Sequence, residues 1–237
     1  RLSILISTSE GKHKKLIDKT VLIIYTYQQV LRNYTDIMPT KSQKLKNFFQ
    51  RHGGVVRFSA ILKAGFHPDS LNALKKKNEV EKIGRGLYRL TDSIPGSHPD
   101  FVTASLQAPR GVICLLSALA FHEATSEIPK YVHIAIPVNS HANRIQYPPV
   151  RFYRFAPQAW KAGIGEYEIE SHKIKVYCLA KTIADCFKFR NKIGADVARE
   201  ALKIAISEKN VQPKEIMRYA KICRVDSIIK PTLEAML

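Results

Sequence analysis

The sequence predicts an α+β protein: a basic N-terminal winged helix-turn-helix followed by an α+β domain with a small sheet and a helical C-terminal half. Three observations lead there. Residues 58–90 hold two short helical patterns split by a glycine, then two strand-like runs about a second glycine turn. Positive charge is densest around that stretch. A turn-rich segment, Ser93-Ile-Pro-Gly-Ser-His-Pro-Asp100, separates it from a different pattern downstream.

The 237 residues carry 38 Lys+Arg against 20 Asp+Glu, a formal charge of +18. Such an excess attracts polyanions, either nucleic acid or an anionic membrane surface. Its distribution favours nucleic acid: residues 40–92 hold 12 basic and 4 acidic side chains, whereas residues 1–39 hold 6 and 3 and residues 93–237 hold 20 and 13. Apolar runs are only a few residues long, so no membrane partner is expected. Cys114, Cys178, Cys186 and Cys223 are far apart and form no C-x-x-C pair. They read as buried thiols of a cytoplasmic protein, with no metal and no cofactor expected.

Residues 1–37 show no pattern that ties them to the rest. The chain begins with Arg1, and Met38 stands just before the first clean helix signal. Val21–Tyr25 looks strand-like, without a partner. The segment reads as an uncertain leader: translated upstream DNA, an expression remnant or a mis-called start, in preference to a native basic arm on DNA phosphates.

The first domain is placed at residues 38–92. Thr40 and Gln43 form a T-x-x-Q capping box that opens a helix through about Arg51, with Leu45, Phe48 and Phe49 as its apolar stripe. Gly53-Gly54 ends it, and Val55–Phe58 leads into a helix over Ser59–Ala64 that stops at Gly65. Pro68 then sits at the first position of a helix running to Lys77, with Asp69 in its first turn. Val80–Ile83 and Leu87–Leu90 flank Gly84-Arg-Gly86 as a wing. Leu45, Phe48, Phe49, Ile61, Leu62, Leu71, Leu74 and Ile83 are the expected core.

The helix from Pro68 is the candidate recognition helix. With Leu71 and Leu74 inward, Asp69, Asn72, Ala73 and Lys76 share the opposite face. Asn pairs bidentately with adenine, and Lys reaches guanine acceptors or a phosphate. Ser70, Lys75 and Lys77 flank this face, where contacts position the protein without specifying sequence. Lys82, Arg85 and Arg89 give the wing cations for a minor groove or phosphate edge. A lysine run at a helix end is also what a solvated terminus looks like, because cations there suit the macrodipole. Wing, charge density and helix order together carry the DNA reading.

Residues 93–100 are the expected linker, and residues 101–237 the second domain. A helix follows Pro99, and another is expected over Val112–Ala124. Strands are expected at Val132–Pro137 and Val150–Phe155, with a hairpin of Tyr167–Glu170 and Ile174–Tyr177 across Ser171-His-Lys173. Helices follow over residues 179–190, 195–208 and 213–223, with a last one after Pro231.

Arg85-Gly-Leu-Tyr-Arg-Leu90 resembles the wing of AbiEi-type antitoxins, the antitoxin half of type IV AbiE toxin–antitoxin systems. Pro148-Pro-Val-Arg-Phe-Tyr-Arg-Phe155 and Lys181-Thr-Ile-Ala-Asp-Cys-Phe-Lys-Phe-Arg-Asn-Lys-Ile-Gly194 are similar to that family's C-terminal domain, so the resemblance runs from about Lys41 to the C-terminus. It implies a bacterial repressor of its own operon, in a phage-defence setting, binding inverted repeats in its promoter. It also implies antagonism of a nucleotidyltransferase-like toxin without a stable toxin–antitoxin complex.

Lys181, Asp185 and Lys188 fall at i, i+4, i+7, and Arg190 follows closely. Read functionally, these four are an antitoxin surface. Read plainly, the first three are a charged solvent face with an i,i+4 ion pair worth a few tenths of a kcal/mol, and the plain reading is preferred. Asp185 and Asp196 lie on different predicted helices and lack a third metal ligand. His122, His133, His141 and His172 are scattered without ligand spacing, and His122 is expected to be packed or hydrogen-bonded. Tyr147, Arg151, Tyr153 and Trp160 could line an aromatic-basic surface, but packing accounts for most such aromatics. No G-x-S-x-G, H-E-x-x-H or Walker A motif is present, so no enzyme is expected. The alternatives to the antitoxin are a regulator whose second domain senses a ligand with no toxin partner, and a nucleic-acid-processing enzyme.

Overall fold

The computed structural model describes residues 23, 24, 26, 27, 39–93 and 96–236. The strand expected over Val21–Tyr25 falls mostly outside these, and Ile23 and Ile24, which are described, are helical. The chain divides into compact units of residues 1–44 and 45–237.

The first helix, α1, covers Lys41–Arg51. Thr40 Oγ1 accepts the Gln43 N–H at 3.1 Å, the expected N-cap. Gly53 and Gly54, at φ +61° and +76°, turn the chain where side chains with a Cβ would be strained. Val55–Arg57, expected as a lead-in, is strand β1, and it runs directly into α2 at Phe58–Lys63. Helix α3 covers Pro68–Lys76 with Pro68 at its start. Strands β2 (Val80–Gly84) and β3 (Leu87–Leu90) close the wing about Arg85-Gly86. Strand β3 lies between β1 and β2, antiparallel to both.

The small core forms where the apolar stripes of α1, α2 and α3 meet the sheet. Leu45, Phe49, Ile61, Leu71 and Leu74 are buried as expected. Three expectations are corrected: Phe48 is half-buried at the edge of this core, Leu62 is 45% exposed, and Ile83 sits at a bulge in β2 and is half-buried. Val56, Val80 and Leu90 take those places in the core, because β1 adds a sheet face that the sequence pattern did not reveal.

The remainder is built on a five-stranded mixed sheet ordered β6-β5-β4-β8-β7. Its elements are α4 (Pro99–Gln107), β4 (Val112–Ile113), α5 (Leu115–Phe121), β5 (Val132–Pro137), β6 (Val150–Phe155), α6 (Pro157–Lys161), β7 (Ile164–Ile169) and β8 (His172–Tyr177). Five helices follow: α7 (Leu179–Lys188), α8 (Arg190–Ile193), α9 (Ala195–Ser207), α10 (Pro213–Cys223) and α11 (Asp226–Glu234). Both β5 and β6 lie where the sequence predicts.

Several boundaries differ from expectation. Val112 and Ile113 form the short central strand β4 rather than the start of a helix, since one face packs under α4 and the other under α5. The β7–β8 turn is Glu170-Ser171, both at positive φ, one residue earlier than expected. Helix α7 ends before Arg190 opens α8. Pro231 lies inside α11 rather than before it. Two apolar clusters sandwich the sheet, the larger one gathering α5, α7, α9, α10 and α11 on one face.

Candidate nucleic-acid interface

Helix α3 owes its placement to its two faces. Leu71 and Leu74 are buried against α1 and the sheet, which turns Asp69, Asn72, Ala73 and Lys76 outward along one stripe. Asp69, Asn72, Lys75, Lys76 and Lys77 are exposed and Ala73 is half-buried. Together with Lys75, the stripe lines an open groove of about 560 Å³. The polar groups here project from a rigid helix, the geometry a major-groove reader needs. His67 precedes the helix, and its Nδ1 accepts the Asp69 N–H at 3.3 Å. Ser70 is the exception among the expected contacts. It is 7% exposed and faces the core, because it sits next to Leu71 on the inward side.

The wing presents Lys82 and Arg85 to solvent. Arg89 is different. It stands directly across the strands from Glu81, and its Nε and Nη2 donate to Glu81 Oε1 at 3.0 and 2.6 Å. Its guanidinium also lies 5.8 Å from the centre of the Tyr147 ring, and the Glu81 carboxylate raises its pKa further. Arg89 therefore ties the wing sheet to the loop before β6. The register pairing of Glu81 with Arg89 was the signal for this, visible once the hairpin was aligned.

Sequence reasoning missed what lies behind Arg89. A cleft of about 270 Å³ is lined by Arg89, Glu81, Tyr147, Asp100, Gly53 and Glu170, among others. The Tyr147 hydroxyl donates to Asp100 Oδ1 at 3.0 Å. Beside the cleft the β7–β8 turn holds the end of α1: Ser171 Oγ donates to Arg51 O at 3.3 Å, and His172 Nε2 lies 2.9 Å from His52 O. Among the described residues no group of three or more His, Cys, Asp or Glu side chains converges as metal ligands.

Two of the four residues expected as an antitoxin surface, Lys181 and Asp185, lie in the core, which departs both from that expectation and from the plain reading of a solvated charged face. Lys181 and Asp185 are both fully buried, with Lys181 Nζ 2.6 and 2.5 Å from the two carboxylate oxygens. Cys223 Sγ donates to Asp185 Oδ1 at 3.3 Å, and the ammonium stands 4.2 Å from the centre of the Tyr177 ring. Burial pushes the Asp185 carboxyl up, against the pull of Lys181. The reason is that α7 has no solvent face over its first nine residues: α5, α9, α10 and α11 all pack on it. Lys188 is exposed but donates to Cys223 O at 2.8 Å, and half-buried Arg190 donates to Phe187 O at 3.0 Å.

Other side chains settle into structural places. His122 Nε2 is 2.8 Å from Tyr177 O, as a packed histidine should be, and burial lowers its pKa. His133 is buried beside Ser117, whose Oγ accepts the backbone N–H of His133 at 2.9 Å and lies 3.2 Å from its ring Nδ1. Burial, with Arg151 nearby, holds the imidazole down to about 4. Cys114, Cys186 and Cys223 are buried, and burial pushes all three thiols up, Cys223 to about 12.

Residues 43–91 match the model of a protein family described as "Transcriptional regulator, AbiEi antitoxin". A search of curated proteins finds no match. The match spans most of α1, all of α2 and α3 and the wing, so over residues 43–91 it supports the AbiEi-type resemblance read from the sequence, and that stretch is similar to the AbiEi antitoxin transcriptional regulators.

Proposed function

We propose that the protein is a DNA-binding antitoxin of a type IV toxin–antitoxin system, which represses its own operon and counteracts a nucleotidyltransferase-like toxin. The observation that carries the DNA-binding half is the exposed stripe of Asp69, Asn72, Ala73 and Lys76 on a helix fixed by Leu71 and Leu74. In this reading α3 enters the major groove, where Asn72 and Lys76 touch base edges and Asp69 and Ala73 shape the contact. Lys75 and Lys77 sit over phosphates on either side. Lys82 and Arg85 of the wing grip the neighbouring backbone. Arg89 stays with Glu81 and orients the wing rather than touching DNA, and buried Ser70 takes no part.

The autoregulatory and antitoxic halves of this proposal rest on the likeness of residues 43–91 to AbiEi antitoxin regulators. The buried Lys181–Asp185 pair supports a structural rather than a surface role for α7, which moves any antitoxic contact to other residues. Protection without a stable toxin complex is the expected form. A transcriptional fusion of the DNA upstream of the gene should be silenced by the wild-type protein. It should be released by Asn72→Ala/Lys76→Ala. Co-expression with the adjacent reading frame should restore growth that the frame alone abolishes. Silencing without rescue would leave a regulator with no toxin. The cleft behind Arg89 gives that second reading a specific place for a small ligand, against the wing sheet.

A further inference from the structure

The outer edge of the five-stranded sheet carries a feature outside the DNA-binding machinery. Strand β6 pairs with β5 alone, and among the described residues no other strand covers its far side. Val132 N–H donates to Pro149 O and Val138 N–H to Phe155 O. In a parallel ladder, alternate residues face the neighbour, so the odd-numbered residues here point their backbone at β5. The N–H and C=O of Val150, Phe152 and Arg154 therefore point outward. They run along an open groove of about 770 Å³, which Arg151, Tyr153, Phe189 and Lys192 also line.

The flanks of this groove are cationic. Arg151, Arg154 and Lys192 are exposed, and among the described residues none has a carboxylate within 4.0 Å. Arg151 stacks 4.1 Å from the centre of the Tyr131 ring, which holds its guanidinium in place. Residues 130–161 contain five Lys and Arg and no Asp or Glu. Arginines on an edge strand also discourage pairing between copies. A second copy of β6 would bring these cations against one another, and the basic segment of residues 1–39 would do the same.

We propose that β6 is a docking edge for an extended acidic segment of a partner protein, which adds to the sheet as a sixth strand. A peptide strand supplies both donors and acceptors to the alternating outward N–H and C=O groups, and its carboxylates meet Arg151, Arg154 and Lys192. A nucleic-acid backbone offers phosphate acceptors and would leave the outward carbonyls of β6 unmatched, so the edge favours peptide.

The test uses the full chain and a labelled, end-blocked ten-residue peptide of threonines and paired glutamates, so that carboxylates project from both faces of the added strand. Wild-type protein should bind it, with amide shifts confined to residues 150–155 and their neighbours. Arg151→Glu/Arg154→Glu should weaken binding at least tenfold. Arg154→Pro, which removes one outward N–H and leaves the β5 ladder intact, should do so too. The same peptide with two central prolines should not bind. Equal binding of the peptide with lysine for glutamate, or no effect of charge reversal, would overturn the proposal. Tighter binding of a twelve-nucleotide oligothymidine that displaces the peptide would make the edge a nucleic-acid surface instead. Self-association abolished by Arg154→Pro would assign it to a second copy.

Discussion

Three cases show how local surroundings decide what a charged or titratable side chain does. Lys181 and Asp185 stand one helical turn apart, and on an exposed helix such a pair is worth a few tenths of a kcal/mol. Here both are fully buried, and removing one partner strands the other without water. Lys181→Met should destabilise by about 3–5 kcal/mol, whereas Lys181→Met/Asp185→Leu should recover much of that loss. Urea unfolding of the two variants checks it, and equal losses would contradict it. His133 supplies the pH dependence. Its native pKa of about 4 lies below the ordinary value of 6.5, so above 6.5 both states are neutral and it has no effect. As pH falls from 6.5 to 4 the unfolded chain takes up a proton that the folded one refuses, and stability drops, by at most about 3 kcal/mol. His133→Gln should remove that slope in denaturant titrations between pH 7 and 4.5. Arg89 is the third case: its partner Glu81 is only partly shielded, so the pair contributes about 0.2–1 kcal/mol. Its substitution should leave the number of phosphate contacts unchanged.

At the scale of elements, legibility in the sequence tracked how local the determining signal was. Helix α3 was readable because Pro68, Leu71 and Leu74 fix its start and its inward face within a few residues. Strands β5 and β6 were equally plain as β-branched and aromatic runs. Strand β1 and strand β4 were not, since three and two residues carry no period and owe their conformation to β3, β5 and β8. Helix α7 was found but misread. Its Lys–Asp spacing looks like a solvated face, and only the helices packing around it show that no such face exists. The outward stripe of α3 was legible in the sequence, but the inward placement of Ser70 beside Leu71 was not.

For the molecule as a whole, the junction behind the wing is the part that no local pattern could reveal. The β7–β8 turn reaches residues 120 positions away in sequence, where Ser171 and His172 engage the carbonyls of Arg51 and His52. Glu170 fills the space where a Cβ on Gly53 would fall. Contacts of such separation depend on the finished fold. His172→Ala should free the end of α1, with a loss of about 1 kcal/mol for one hydrogen bond. Amide exchange at Gly53–Val55 should then quicken by about fivefold, while exchange in α9 stays as it was. Uniform acceleration would mean that the contact supports the whole fold instead of the junction.

The claim on which the account turns is a division of labour, in which α3 reads bases and the wing holds the backbone. Affinity for the protein's own upstream DNA and for unrelated duplex, measured across a salt series, tests it directly. Asn72→Ala and Lys76→Ala should each lose about 1–3 kcal/mol of preference for the specific site. Arg85→Ala should weaken both DNAs alike and lower the salt slope by about one, with Arg89→Ala leaving that slope unchanged. If the wing and helix variants altered site preference to the same degree, or if the wild-type protein bound both DNAs equally at every salt concentration, the division would be wrong.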